Sequence, residues 1–516
     1  MRRPAPPVAI LWTAAALLLG AGAWASLSAE RGLNAEAPAA PAAVSMSAPA
    51  ALSAASVSAV PPVPAQDAAR ISVPRGSLGT PLLPRLRSLL GLLTLVGLAW
   101  ALSVDRTRVP WRVIGWGIGL QLLFALFILK TPLGVGVFDA ASATVVQLLG
   151  FTVDGARFIF GDLVHDNVPV GTGGVGPGGS FEELPGQVAR TGASFAFNVL
   201  PTIIFFSSLM TVLYHLGIMQ VAVKGTAWVM QRTMRTSGAE TLSAAGNIFV
   251  GQTEAPLLIK PFIERMTMSE LMAVMTGGFA TVAGGVLAAY VGILLAYFPD
   301  IAGHLMAASV MSAPAALIVA KLMYPESEEP ETTGTLEVNV ERPDVNVIDA
   351  AARGASEGLF LALNVGAMLL AFIALVYMLN GVLGWLGALV GMGGLTLELL
   401  LGWLLAPLAW LMGVPWADAP AVGSLMGVKT VLNEFFAYFQ LAGTLDGEHD
   451  LQPRSIIIAT YALSGFANFS SIAIQIGGIG GLAPSRRQDL SRVGLRAMIA
   501  GSIAAFMTAT VAGMIL

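Results

Sequence analysis

From residue 84 onward the chain is dominated by long windows without Asp, Glu, Lys or Arg. A helix that crosses a bilayer needs about 20 apolar residues. The charge-free stretches Ser88–Val104, Val113–Leu129, Thr191–Val223, Leu271–Phe298, Ile301–Ala320, Leu359–Leu389, Ser455–Ser485 and Ala497–Leu516 reach or approach that length. They predict eight transmembrane helices and an all-α integral membrane fold. Two further apolar segments, near 240–263 and 418–441, differ in carrying glycine, neutral polar residues and a carboxylate at their middle. Irregular backbone at membrane depth persists where it is buried in protein or lines a wet cavity, so both are predicted to be re-entrant helical hairpins. An internal echo supports the pair. Gly277-Gly278-Phe279-Ala280-Thr281-Val282-Ala283 follows the first hairpin and Ser464-Gly465-Phe466-Ala467-Asn468-Phe469-Ser470 the second. A hairpin and then a span interrupted by polar residues, occurring twice, is the pattern of internal repeats around a midplane site.

The pattern also divides the chain. Residues 1–25 resemble a signal peptide: Met1-Arg2-Arg3, an apolar run from Val8 to Trp24, and the small-x-small Ala23-Trp24-Ala25. Residues 26–83 are rich in Ala, Pro and Ser without period, and are expected to be a disordered tether. Residues 84–236 read as N-terminal membrane and interfacial helices, and 237–516 as the transport core. Basic loop residues set orientation. Arg106, Arg108 and Arg112 follow the first span, Lys224, Arg232 and Arg235 the third, and Arg486, Arg487, Arg492 and Arg496 the seventh. Placing these clusters in the cytoplasm leaves both termini outside a cytoplasmic (inner) membrane; Arg85 and Arg87 pull the other way.

Composition agrees with the membrane assignment. The chain is 55% hydrophobic and 11% charged, against roughly 25% charge in soluble proteins. Absence of cysteine excludes disulfides and thiolate chemistry. A net charge of −4 gives no support to nucleic-acid binding, and the 4 histidines are far apart in sequence. No nucleophile–base pair or phosphate loop is evident, so an enzyme is not expected, nor any cofactor beyond a coupling ion.

A carboxylate at the bilayer centre costs at least about 2.5 kcal/mol, and one that persists is a functional candidate. Glu254 and Glu434 are such residues; the alternative is a buried ion pair with Lys260 or Lys429. Gln252, Thr253, Asn433, Asn468, Ser470 and Ser471 supply neutral donors and acceptors nearby in sequence. That lining suits a sugar or a heterocycle, whereas an anion would call for arginines. Phe466 could pack on a base. For a cation, the hard oxygen ligands are the Asn247 amide, the Thr281 hydroxyl and carbonyls freed at the breaks, which suit sodium better than a transition metal.

Gly251-Gln252-Thr253-Glu254-Ala255-Pro256-Leu257-Leu258, Gly427-x-Lys429-x-x-x-Asn433-Glu434-Phe435 and Ser464-Gly465-Phe466-Ala467-Asn468-Phe469-Ser470-Ser471 resemble the signatures of the concentrative nucleoside transporter family. The resemblance runs from about Arg85 to the C-terminus. It implies a homotrimer in membrane lipid, eight membrane helices and two hairpins per subunit, the third and sixth helices as scaffold, and a mobile domain acting as an elevator. Position by position it implies that Gln252, Thr253 and Glu254 bind the base, Val286 and Phe466 pack on it, and Glu434, Asn468 and Ser471 hold the ribose. Asn247, Thr281 and the carbonyls of Val250 and Val282 match the family's sodium site. Gly251 with Gln252 resembles members accepting both purine and pyrimidine nucleosides. The expected function is nucleoside uptake coupled to a cation, sodium favoured over a proton, with a nucleobase or other small polar solute as the alternative cargo.

Overall fold

Apolar windows of spanning length fold as helices because in a bilayer each backbone N–H and C=O must find its partner within the protein. The computed structural model describes residues 80–165, 167–173, 181–190, 195–334, 344–446 and 451–516; the signal-peptide-like segment and the tether as far as residue 79 lie outside the described residues. The N-terminal part comprises α1 (Leu82–Ala101), α2 (Trp111–Lys130) and α3 (Pro132–Phe160), the strands β1 (Asn167–Gly173) and β2 (Phe181–Arg190), then α4 (Leu200–His215) and α5 (Ile218–Met234). The strands pair antiparallel, a small departure from the all-α expectation. There follow α6 (Gly238–Gly246), a 3-10 stretch (Ala255–Arg265), α7 (Met268–Ala280), α8 (Gly284–Leu294), α9 (Ile301–Met323) and α10 (Val347–Leu389). The chain closes with α11 (Leu397–Met412), α12 (Ala419–Val431), α13 (Glu434–Asp446), α14 (Pro453–Leu463), α15 (Phe469–Leu482) and α16 (Arg487–Ile515).

Among the described residues 8 helical stretches are long and apolar enough to cross a membrane. The number agrees with the sequence reading, but the membership differs. Pro132–Val164 is one of them; Asp139, Asp154 and Arg157 interrupt its charge-free window and hid it. The stretch predicted over 191–223 ends at Gly217, which takes a left-handed φ of 84° between α4 and α5. The stretch predicted over 455–485 is two helices, α14 and α15, separated at Ser464–Asn468.

Hydrogen bonds fix which end of the bundle each element enters. At one end Val104 N–H donates to Met323 O (3.0 Å) and Gly238 N–H to Thr332 O (2.9 Å). Arg112 there reaches Thr233 O, Arg486 reaches Glu264 O and Met266 O, and Arg496 reaches Leu102 O. The three basic clusters read from sequence therefore share this end. At the other, Arg454 donates to the carbonyls of Gly413 and Gly513, Arg87 to that of Val414, and Thr80 to that of Leu516.

The hairpin formed by α6 and the 3-10 stretch starts and finishes at the basic end, where Arg265 pairs with Glu331 at 2.6 Å. The hairpin formed by α12 and α13 starts at the opposite end: Asp418 accepts from Gln452 N–H and from the Ser455 hydroxyl at the start of α14. Tyr438 donates to Thr460 O and Lys429 to Ala462 O. These contacts run α13 antiparallel and α12 parallel to α14, so the segment turns back on itself. The broken pair α7–α8 leaves the basic end, and α14–α15 approaches it. The two halves are thus inverted repeats. Their echoed motifs touch at the crossing: a Cβ on Gly465 would lie 2.9 Å from the carbonyl oxygens of Phe279 and Ala280, so glycine is what lets the breaks meet. Outside this core α10 packs along α4, with Ser208 donating to Ala351 O at 2.9 Å.

Candidate functional site

Both hairpin tips and both helix breaks converge between the repeats. Asn468 caps α15, its Oδ1 accepting from Ser471 N–H (2.9 Å), and its Nδ2 donates to Glu434 Oε2 at 2.9 Å. The other oxygen, Glu434 Oε1, accepts from Tyr290 OH of α8 at 2.9 Å. Across the crossing Gln252 Nε2 donates to Ser471 Oγ (3.4 Å). One polar chain, Gln252–Ser471–Asn468–Glu434–Tyr290, therefore ties hairpin one to α15, to hairpin two and to α8. The ion-pair alternative for Glu434 does not hold, because Lys429 is turned to Ala462 O (2.8 Å) and to the Phe506 ring.

Hairpin one opens on a cavity of about 220 Å³ lined by Val250, Gly251, Glu254 and Val286, and on its far wall by Tyr214, Arg353 and Glu357 of α4 and α10. Glu254 is exposed to this space. Its carboxylate folds back over Gly251, where a Cβ would lie 2.1 Å from Oε2, so any larger residue there would push the Glu254 carboxylate aside. Thr253 packs against Gly478 of α15. Glu434 is not in this wall; it is buried behind Asn468 and Tyr290, and Phe466 is buried too. At the mouth Arg353 holds Asp344 at 2.6 Å and Glu357 at 2.7 Å. The hydrogen bonds from Arg353 keep the Asp344 carboxyl below its ordinary pKa.

The expected cation ligands also come together. Gly284 N–H donates to Phe249 O (3.2 Å), and a Cβ on Gly277 would sit 3.2 Å from the Asn247 amide nitrogen. Residues 248–250 and 281–283 lie between those contacts, so the hairpin tip faces the break of α7–α8. Asn247 donates to Ser243 O while its buried Oδ1 accepts nothing. The Thr281 hydroxyl gives its proton to Gly277 O and keeps its lone pairs. One unpartnered buried amide oxygen and a hydroxyl with open lone pairs beside a broken helix fit a hard monovalent cation. Tyr290 and Gln475, which bond to Glu434 and Gln252, are polar residues the sequence reading did not name.

The family profile described as "Na+ dependent nucleoside transporter C-terminus" matches residues 304–513, its N-terminal counterpart matches 90–163, and one described as "Nucleoside recognition" matches 196–297. An "Uncharacterized transporter" of Haemophilus influenzae is 44% identical over 434 residues, covering 83% of this chain and 97% of its own. The chain belongs to the concentrative nucleoside transporter family. CNTnw, solved in an inward-facing substrate-bound state, is 41% identical with a TM-score of 0.73 over 84% of this transporter and 98% of that chain. "Solute carrier family 28 member 3" of Mus musculus is 42% identical over 82% of this transporter, which spans 58% of that longer protein. The family is one of multi-pass membrane transporters, not enzymes.

Proposed function

We propose that this transporter carries purine and pyrimidine nucleosides inward across the cytoplasmic membrane, driven by sodium rather than by protons. The observation that carries the reading is the continuous polar chain from Gln252 to Tyr290, joining both hairpin tips beside a cavity that holds Glu254. Gln252, Thr253 and Glu254 read the base, Val286 and Phe466 pack on it, and Glu434, Asn468 and Ser471 hold the ribose. Uridine and adenosine uptake into proteoliposomes, under a sodium gradient and separately under a proton gradient, tests this. Saturable uptake is expected with sodium, and none under either gradient would end the proposal. Ribose-modified nucleosides should compete poorly; a carrier of free nucleobases would ignore the sugar.

Sodium is favoured by the unpartnered Asn247 Oδ1 and the Thr281 hydroxyl, with the carbonyls of Val250 and Val282 completing the set. Asn247→Ala is expected to raise the half-saturating sodium concentration roughly tenfold, the equivalent of about 1–1.5 kcal/mol for one lost ligand, with the order of preference among nucleosides unchanged. Sodium dependence identical to the wild type would move the ion elsewhere.

The cavity mouth, at Tyr214 and Arg353, belongs to the end that gathers the basic loops, so with those loops cytoplasmic the structure faces inward. CNTnw and its variants have been solved in inward-facing, outward-facing and intermediate states, which supports an elevator. Here α4 and α10 serve as the fixed scaffold and the inverted repeats as the moving body. The apolar face of α10 is uncovered by its own chain, with Phe360 68%, Leu370 77% and Tyr377 73% exposed. Such a face suits lipid and the neighbouring subunits of a homotrimer.

A further inference from the structure

We propose that Gln475 is a positioning residue for base recognition: it locks the Gln252 side chain so that Gln252 offers the substrate N–H donors and not its carbonyl. The inference rests on the nucleoside reading above and adds a residue to it. Gln475 lies on α15, one turn beyond Ser471, and is fully buried. Its Nε2 donates to the backbone carbonyl of Met275 in α7 (3.2 Å) and to Gln252 Oε1 (2.9 Å). A carbonyl oxygen only accepts, so the Gln475 atom facing Met275 must be the NH2 group. The same NH2 then faces Gln252, and two NH2 groups cannot bond to each other. Gln252 is therefore obliged to turn its oxygen inward.

The Gln252 NH2 is left near Ser471 Oγ, at 3.4 Å, a long contact that a better acceptor can replace. The orientation is reinforced by packing. A Cβ on Gly278 would lie 2.8 Å from Gln475 Nε2 and 2.9 Å from Gln252 Cβ, so neither side chain has room to swing away on that side. Gln475 Oε1 accepts no hydrogen bond although the residue is buried. Leaving one buried acceptor unmade is a cost, and the arrangement retains it while keeping the Gln252 amide fixed. The ligand chemistry that follows is an acceptor-bearing edge, a ring carbonyl or an aza nitrogen. Pyrimidine and purine bases both carry one, whereas a donor-only edge finds no partner at Gln252.

The test is a double-mutant cycle on the purified full-length protein, read as uridine binding by calorimetry. Gln475→Met keeps the volume and removes the donor. It is expected to weaken uridine binding roughly five- to thirtyfold, the loss of one buried hydrogen-bond arrangement, while the penalty for 3′-deoxyuridine relative to uridine stays within about twofold, because the ribose side is untouched. In a Gln252→Ala background Gln475→Met should change binding by less than about twofold, since nothing remains for it to orient. Equal effects of Gln475→Met in both backgrounds, or a 3′-deoxy penalty that collapses in parallel, would overturn the proposal by showing general disruption of α15. Unchanged uridine affinity in the single variant would overturn it as well. A wild-type protein that binds no uridine at all would instead sink the nucleoside reading.

Discussion

Glu434→Gln is expected to raise the half-saturating nucleoside concentration by roughly ten- to a hundredfold while leaving the protein folded. The magnitude follows from what is lost. A hydrogen bond to a charged group contributes about 1.5–3 kcal/mol, and the carboxylate is the charge on the polar chain that joins the tips. The fold should survive because a glutamine can serve both existing partners. Its oxygen accepts from Asn468 Nδ2, where the carboxylate now does at 2.9 Å, and its NH2 donates to Tyr290, whose hydroxyl can rotate to accept. Glu434→Ala, by contrast, strands both buried donors and should also lower thermal stability. Asn468→Ala should lose affinity to a similar degree and in addition about 1 kcal/mol of helix-cap stability, since Asn468 caps α15 through Ser471 N–H. Labelled uridine uptake into proteoliposomes, with a thermal-shift measurement on the same preparations, separates affinity from folding. Wild-type uptake by folded Glu434→Gln protein would place the ribose site elsewhere.

How much of this was legible follows from the kind of residue involved. Charges inside apolar windows are conspicuous, so the hairpins near 240–263 and 418–441 could be read, and the structure places them at Gly238–Arg265 and Ala419–Asp446. The same criterion failed wherever it was used as a filter. Helix α3 was passed over because Asp139, Asp154 and Arg157 break its window, though its composition is that of a span. Neutral polar residues also escaped. Gln475, between Ile474 and Ile476, and Tyr290, one turn past Val286, lie in charge-free windows but outside the echoed motifs that mark the two breaks. A buried amide in an apolar helix is itself a signal, and asking for the partner of each one would have found Gln475. The partner of Glu434 was not readable from spacing. Lys429, five residues away, is turned to Ala462 O, whereas Tyr290 and Asn468, 144 and 34 residues distant, make the bonds. Only the inverted packing of the repeats brings them together.

The largest stability effect is expected outside the substrate site, at Lys321→Met. Lys321, near the end of α9, is buried with Glu240 at 2.7 Å and also reaches Glu326 and Ser269, each at 3.0 Å. Glu240 Oε1 accepts from Ser237 N–H, and the Ser237 hydroxyl donates to Glu270 Oε1 at 2.6 Å. Lys321 thus pairs with one buried carboxylate of hairpin one, which Ser237 links to a second, Glu270, at the start of α7. Removing the cation leaves Glu240 unpaired and close to a like charge, an arrangement that costs about 3–5 kcal/mol. The Lys321→Met protein should therefore unfold well below the wild type in detergent, by thermal shift. Glu240→Gln combined with Lys321→Met should recover most of the loss, because the fully buried charge and its counter-charge leave together. The partly exposed Glu326 still accepts from the Thr267 hydroxyl and Ser327 N–H. A single variant as stable as the wild type would mean the lysine compensates nothing. The same geometry bears on movement. Ser237 and Glu270 staple the open end of hairpin one to the broken span that follows it, and Asp418 with Ser455 does the same for hairpin two at the opposite end. Each hairpin is bound at its base to the start of the broken span whose break it faces at its tip. The polar chain can then cross the membrane intact, as an elevator requires, because hairpin and broken span travel as one body.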